Sequence, residues 1–106
     1  MGLCLEGPQI TDTGLEYLNA WPQIWFLNIT NTSVTGPGLK HLQALTHLRS
    51  LGLNGSPVTD AGLNNLIGLT ELKVLYLRRT NVTDAGVKKL QQALPNCKIE
   101  WKPPIG

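Results

Sequence analysis

The chain has little of the material that catalysis or metal binding needs. Its 106 residues include two histidines and two cysteines, too few for a disulfide scaffold or a zinc site built from these residues alone. Charged residues make up 15% and apolar residues 42%, a balance typical of one folded domain rather than of a disordered segment. No combination of nucleophile, base and acid converges in the pattern. We therefore expect a single domain that is not an enzyme and holds no cofactor or metal.

Long apolar runs are also missing. The longest extend over only a few residues, which is too short to cross a bilayer. The first residues lack the basic and apolar regions of a secretory signal peptide. We expect no membrane partner, and we favour a cytoplasmic location.

The charge is unevenly distributed along the chain. Residues 1–71 hold two basic and five acidic residues, a net charge of −3, and residues 72–106 hold seven basic and two acidic residues, a net charge of +5. Such an asymmetry can steer an acidic partner towards one end. The aromatic residues are not interleaved with the basic ones, so the pattern argues against nucleic acid as the partner.

A spacing of 24 residues organises the whole chain. Six columns of similar residues recur at this interval: Leu3, Leu27, Leu51, Leu75 and Ile99; Leu5, Ile29, Leu53, Leu77 and Trp101; Ile10, Val34, Val58 and Val82; Gly14, Gly38, Gly62 and Gly86; Leu15, Leu39, Leu63 and Val87; Leu18, Leu42, Leu66 and Leu90. The columns divide the domain into repeats 1–23, 24–47, 48–71 and 72–95, followed by a capping strand at 96–106.

Each repeat combines two periodicities. Strict alternation of apolar residues predicts strands near 2–6, 26–30, 50–54, 74–78 and 98–102. Helical spacing predicts short helices near 13–20, 37–44, 61–68 and 85–93. No single repeat can bury its own apolar face, so stacked repeats must share one core. We predict a right-handed α/β solenoid with a parallel sheet on its concave face and short helices on its convex face.

Two polar or small columns mark the start of each helix. Asp12, Asp60 and Asp84 are predicted to be N-caps, with the preceding threonine as a second candidate. In the second repeat Gly36 and Pro37 stand at this point, and proline is favoured at the first helical position. The glycine column predicts a close approach between the helix and strand layers, since its glycines are too far apart to form a phosphate loop.

The pattern Leu-x-x-Leu-x-x-Leu-x-Leu-x-x-Thr-x-Val-Thr-Asp-x-Gly-Leu-x-x-Leu, best seen at 69–90, resembles the leucine-rich repeat family. Its Thr-Asp-x-Gly-Leu portion is similar to bacterial relatives of the cysteine-containing class found in F-box adaptors. Thr32, Ser56 and Thr80 depart from that class, which has cysteine or asparagine there. The closing residues 93–101 resemble the terminal strand of such bacterial arrays. The resemblance implies a role in protein recognition. No F-box-like segment precedes the repeats, which argues against a role as a ubiquitin-ligase adaptor.

Side chains that alternate with the buried leucines should line the concave face. Aromatic and arginine side chains among them are the types enriched in binding hot spots, whereas isolated exposed apolar residues are ordinary. Ser50 and Gly52 predict a shallow dip between the Phe26 and Tyr76 sides. The predicted partner-binding residues are Phe26, Asn28, Thr30, Asn54, Val74, Tyr76 and Arg78.

The N-terminal edge offers an alternative function. The chain opens inside a strand without a polar cap, which indicates a fragment of a longer array, an engineered chain or a covered edge. Leu15 and Leu18 would then belong to an exposed apolar end whose strand also has unpaired N–H groups. A homodimer through this edge is the alternative to concave binding. Its predicted residues are Leu3, Cys4, Leu5 and Ile10.

The remaining candidate residues have structural explanations. Trp21 and Trp101 fall in apolar columns and are predicted to be core, whereas Trp25 is either rim packing or a contact residue. His41 and His47 have no cysteine or acidic partner at ligand spacing. Cys4 and Cys97 would lie about 19 Å apart, across four strand spacings. That distance is too long for a disulfide; Cys97 is predicted to be buried, and unpaired cysteines favour a reducing compartment.

Overall fold

The computed structural model describes residues 1–102; the part of the predicted capping strand at 103–106 lies outside the described residues. One parallel sheet contains five strands in the order of the sequence. They are β1 (Gly2–Glu6), β2 (Phe26–Thr30), β3 (Ser50–Gly52), β4 (Val74–Tyr76) and β5 (Lys98–Glu100). Every pairing joins residues 24 positions apart, as Leu3 with Leu27 and Leu75 with Ile99. The predicted solenoid is confirmed.

The core lies between the sheet and a layer of short helices. Leu27, Leu51 and Leu75 point inward from the three central strands and are fully buried. The helix layer adds Leu39 and Leu66, which are also fully buried. Each such side chain contributes about 1.5–3 kcal/mol by leaving water, and the columns join into one continuous cluster.

The helical segments are narrower than ordinary α-helices in the first half of the chain. Repeats 1 and 2 contain 3₁₀ helices at Asp12–Ala20 and Gly36–Leu42. Repeat 3 begins with α1 (Asp60–Leu63) and continues as a 3₁₀ turn, whereas repeat 4 contains α2 (Asp84–Ala93). Strands are about 4.8 Å apart but α-helices pack about 8–10 Å apart. The tighter 3₁₀ form reduces this mismatch between the two layers.

The helix N-caps are threonines, so the prediction of aspartate N-caps was wrong. Thr11, Thr35, Thr59 and Thr83 occupy the N-cap positions with extended backbone. The aspartates are the first residues of their helices. Their carboxylates act between repeats instead: Asp12 accepts hydrogen bonds from the backbone N–H (2.6 Å) and the hydroxyl of Thr35. A stacked array offers each carboxylate the unpaired N–H of the next repeat.

The glycine column approaches the preceding helix and not the sheet, as the sequence had predicted. A Cβ atom on Gly38 would overlap the carboxylate of Asp12, and one on Gly86 would overlap that of Asp60. On Gly62 it would overlap the backbone of Gly36. Gly14, in the first repeat, would meet nothing within 4 Å. The column therefore leaves room for the aspartate–threonine contact one repeat earlier.

A turn with left-handed backbone ends each of the first four strands. Gly7, Asn31, Gly55 and Arg79 are 24 residues apart and have φ angles of 112°, 58°, 76° and 56°. Glycine and asparagine tolerate this conformation, whereas arginine adopts it at a cost of about 1–2 kcal/mol. The sequence analysis did not identify this column, although its spacing was visible.

Hydroxyl groups fill the column where the related class has cysteine or asparagine. Ser56 donates to the carbonyl of Ile29 at 2.8 Å and shares a 3.0 Å hydrogen bond with Thr32. Thr80 donates to the carbonyl of Leu77 at 2.9 Å. These bonds satisfy backbone groups at the ends of the strands, so the departure from the family pattern preserves the packing.

Candidate binding site on the concave sheet face

A hollow of about 300 Å³ lies on the outward face of the central strands. We call it the sheet hollow. Its lining consists of Phe26, Asn28, Thr30, Ser50, Gly52, Asn54 and Tyr76. The parallel register places Gly52 directly between Asn28 and Tyr76. The hollow exists because Gly52 has no side chain, and it lies where the sequence predicted a dip.

Five of the seven predicted partner-binding residues line the sheet hollow, and the other two lie beside it. Val74 is half-buried and pairs with Ser50 in the sheet. Arg78 is exposed and follows β4. The structure therefore brings the predicted residues together on one face.

Aromatic rings form the two side walls. Tyr76 is 38% exposed and Phe26 is half-buried. The ring of Trp25 packs edge-on against Phe26 with 6.4 Å between centroids, and Trp25 is itself 51% exposed. Trp25 thus supports the Phe26 wall from the rim while keeping a free face, which combines the two interpretations that the sequence left open.

Hydrogen bonds fix the amide groups of the lining. Asn54 Oδ1 accepts a hydrogen bond from the backbone N–H of Arg78 at 2.8 Å. Asn28 Oδ1 accepts one from the hydroxyl of Thr30. A Cβ atom on Gly52 would come within 2.6 Å of Asn28 Oδ1. The floor glycine and the wall amide therefore depend on each other.

Two cations share one carboxylate at the C-terminal side of the hollow. Glu100 Oε2 lies 3.6 Å from Arg78 Nη2, and Glu100 Oε1 lies 3.1 Å from Lys98 Nζ. The cation side chains are 46% and 77% exposed. Exposed pairs of this kind stabilise the fold by no more than about 1 kcal/mol. Their larger effect is a locally positive surface.

The comparisons with known proteins identify the fold. The family pattern described as a leucine-rich repeat matches residues 44–66 and 69–90. A leucine-rich repeat protein of Leptospira interrogans is similar in structure over 80% of this chain, with 19% sequence identity and a TM-score of 0.67. The chain has the leucine-rich repeat fold.

A second solved structure similar to this leucine-rich repeat chain is an internalin of Listeria monocytogenes. It matches 81% of the chain at 20% identity with a TM-score of 0.56. The chain spans 21% of the Leptospira protein and 30% of the internalin, less than a third of either. No curated protein sequence matches it. Leucine-rich repeats are generally used for protein binding and are typically not enzymes.

The rim of the sheet contains an ion pair that the sequence analysis missed. His47 Nδ1 lies 3.0 Å from Glu71 Oε2, next to a shallow depression of about 380 Å³ that also involves Gln23, Trp25 and Arg49. The signal was available, because His47 and Glu71 are 24 residues apart. Within residues 1–102 no three histidine, cysteine or acidic residues form a cluster that could hold a metal.

The N-terminal edge of the leucine-rich repeat chain is less exposed than predicted. Leu15 and Leu18 are buried, contrary to the prediction of an apolar end that includes them. Leu3, Leu5 and Ile10 are half-buried against the core, and Cys4 is exposed. The first helix covers the lower part of this end, so that only the strand side remains open.

The tryptophans and the cysteines give mixed outcomes. Trp21 is 43% exposed, so its assignment to the core was wrong; the 3₁₀ helix ends at Ala20 and its backbone turns the ring outward. Trp101 packs half-buried on the core and donates to the carbonyl of Val82 at 3.3 Å. Cys97 is buried as predicted, and its burial raises the pKa of the thiol to about 11.

A larger cleft on the convex face was also missed. It has a volume of about 570 Å³ and runs between the helices of repeats 3 and 4. Ile67 and Leu90 contribute apolar surface, with Lys89 nearby. The small residues Ala61 and Ala85 at the facing positions were the available signal. No helix in the described part of the chain is long and apolar enough to span a bilayer.

Proposed function

We propose that the chain is a protein-interaction module, not an enzyme, and that it binds its partner through the concave sheet face. The sheet hollow is the observation that carries this proposal. It combines two partly exposed aromatic walls with amides held in place by the fold. Such a depression takes up a protruding side chain of a partner with little reorganisation, which favours affinity.

The repeat class supports a bacterial setting for this proposal. The Thr-Asp-x-Gly-Leu motif is similar to bacterial relatives of the cysteine-containing class, and two structural neighbours come from bacteria. We assign the chain to that bacterial class on this basis. Since both neighbours are more than three times longer than the part that aligns, the proposal concerns this domain alone.

Site-specific photo-crosslinking tests the proposed face. A benzophenone amino acid placed at position 76 should crosslink a discrete protein in lysate of the cells that encode the chain. The same amino acid at position 67 is the matched control, because Ile67 is 50% exposed but lies on the convex face. Crosslinking from position 67 alone, or equally from both positions, would contradict the proposal.

Competition makes the same experiment quantitative. Excess unlabelled wild-type chain should remove the crosslink, whereas a Tyr76→Ala, Arg78→Ala double variant should not. Both side chains are exposed, so the variant should melt within a few degrees of wild type. A large loss of stability, or full competition by the variant, would contradict a binding role for these residues.

Self-association through the N-terminal edge is the second candidate function. Leu3 and Leu5 are half-buried, whereas Leu27 and Ile29 in the same columns are fully buried. Strand β1 pairs with β2 on one side only within residues 1–102. A second copy could cover this strand and its leucines.

Light scattering after size-exclusion chromatography separates the two candidates. Self-association predicts a dimer that resists reductant and that Leu5→Lys dissociates, with Ile67→Lys as the matched charge control. A dimer that reductant dissociates would indicate only a Cys4 disulfide. A monomer at all concentrations would exclude this second function.

A further inference from the structure

The hydrogen-bonding groups of the sheet hollow are mainly donors. Asn54 Oδ1 is occupied by the backbone N–H of Arg78, which fixes the orientation of the amide. Its NH2 group carries two donors, and it has no partner among residues 1–102. An asparagine held in this way can serve a ligand as a donor only.

The charges around the hollow match this pattern. No acidic residue is among those that line it. Arg78 follows Asn54 in the next repeat, and its guanidinium shares the single carboxylate of Glu100 with Lys98. A guanidinium has five N–H donors, so Arg78 can hold a second carboxylate without releasing Glu100. This side of the hollow therefore favours an anionic acceptor.

The opposite chemistry lies beside it. Phe26 and Tyr76 face each other across Gly52, which leaves an apolar slot with a backbone floor. A large apolar side chain inserted there would leave water on both sides. The slot and the donors are adjacent, so a single short segment can use both.

We propose that the occupant of the sheet hollow is an extended protein segment with an aspartate or glutamate next to a large apolar residue. Its carboxylate binds the Asn54 amide and the Arg78 guanidinium through charge-assisted hydrogen bonds. Its apolar side chain fills the slot between Phe26 and Tyr76. This inference rests on the proposed function, because it specifies what the concave face binds.

Asn54→Asp gives a nearly isosteric test. The aspartate keeps an oxygen that can accept the Arg78 N–H, but it replaces the donor NH2 by a negatively charged acceptor. The fold should therefore be preserved while a carboxylate ligand is repelled. Asn64→Asp makes the same chemical change on the exposed helix layer and serves as the matched control.

The probe is a phage-displayed library of random twelve-residue linear peptides panned on the intact chain. We expect selected peptides to contain an acidic residue beside a large apolar one. In fluorescence anisotropy, Asp→Asn or Glu→Gln in the peptide should weaken binding at least tenfold. Asn54→Asp in the protein should do the same, and Asn64→Asp should change affinity less than twofold. Melting temperatures of both variants should match that of wild type.

Each other outcome overturns a distinct statement. Selected peptides that lack an acidic residue but lose binding in Tyr76→Ala would overturn the acidic segment and leave the concave proposal standing. Peptides whose binding Tyr76→Ala does not change would overturn the assignment of the hollow. Failure to select any peptide would overturn a linear segment as occupant, while the crosslinking from position 76 still decides the proposed function.

Discussion

The carboxylate of Asp60 accepts two hydrogen bonds from Thr83 in the next repeat. One comes from the backbone N–H at 2.8 Å and the other from the hydroxyl. Asp12 makes the same pair of bonds with Thr35. Each contact ties the start of one helix to the N-cap residue of the next, and the glycine two residues after the second aspartate leaves room for it. The stacking of helices is thus specified by polar groups as well as by leucines.

Removal of this contact should destabilise the domain. Asp60→Ala leaves the Thr83 N–H without its acceptor, and we expect a loss of about 1–3 kcal/mol in the free energy of unfolding. Asp84→Ala is the control, because Asp84 has the same place in its helix but pairs only with the exposed Lys88 at 2.9 Å, a contact worth about 0.5 kcal/mol or less. Urea unfolding measures both; equal losses would contradict the inter-repeat role.

The glycine column should differ from repeat to repeat. Gly86→Ala places a methyl group against the Asp60 carboxylate, and we expect a cost of about 1–3 kcal/mol. Gly14→Ala meets nothing and should be neutral or stabilise by up to about 1 kcal/mol, because it reduces the entropy of the unfolded chain. Thermal unfolding of the two variants tests this contrast. A similar loss at both positions would show that the column has another cause.

Arg79 should be a site where glycine stabilises the protein. Its φ of 56° lies in the left-handed region, so Arg79→Gly should gain up to about 1 kcal/mol after the entropic cost of glycine. Arg79→Ala removes the same charge but keeps the strained backbone, and it should not stabilise. Comparison of the two midpoints in urea distinguishes backbone relief from loss of charge.

The two cysteines should react at very different rates. Cys4 is exposed, whereas burial raises the pKa of Cys97 to about 11 from an ordinary 9.0. At pH 8 iodoacetamide should modify Cys4 and leave Cys97 unmodified until the chain unfolds. Mass spectrometry of the modified peptides gives both rates. Rapid modification of Cys97 in the native state would contradict its burial.

The raised pKa of Cys97 also predicts a pH dependence of stability. Below pH 9 both folded and unfolded thiols are neutral, and burial contributes fully. Between pH 9 and 11 the unfolded thiol ionises first, so this contribution is lost as the pH rises through the folded pKa. Cys97→Val should therefore lose less stability than wild type between pH 8.5 and 10.5, measured by urea unfolding.

The sequence by itself determined the repeat, the sheet order and the inward face of every strand. Because strand side chains alternate with a period of two, a 24-residue column such as Leu27, Leu51 and Leu75 has one register that buries it. The residues of the sheet hollow follow from the same register, since outward positions are simply those between buried leucines.

Only the tertiary structure decided what residues do between repeats. An aspartate at a helix start satisfies local criteria for an N-cap, but its carboxylate binds Thr35 or Thr83 because the next helix lies within hydrogen-bond distance. The same spacing selects 3₁₀ geometry, pairs His47 with Glu71, and turns Trp21 outward. These outcomes depend on distances between layers, which a pattern along the chain does not contain.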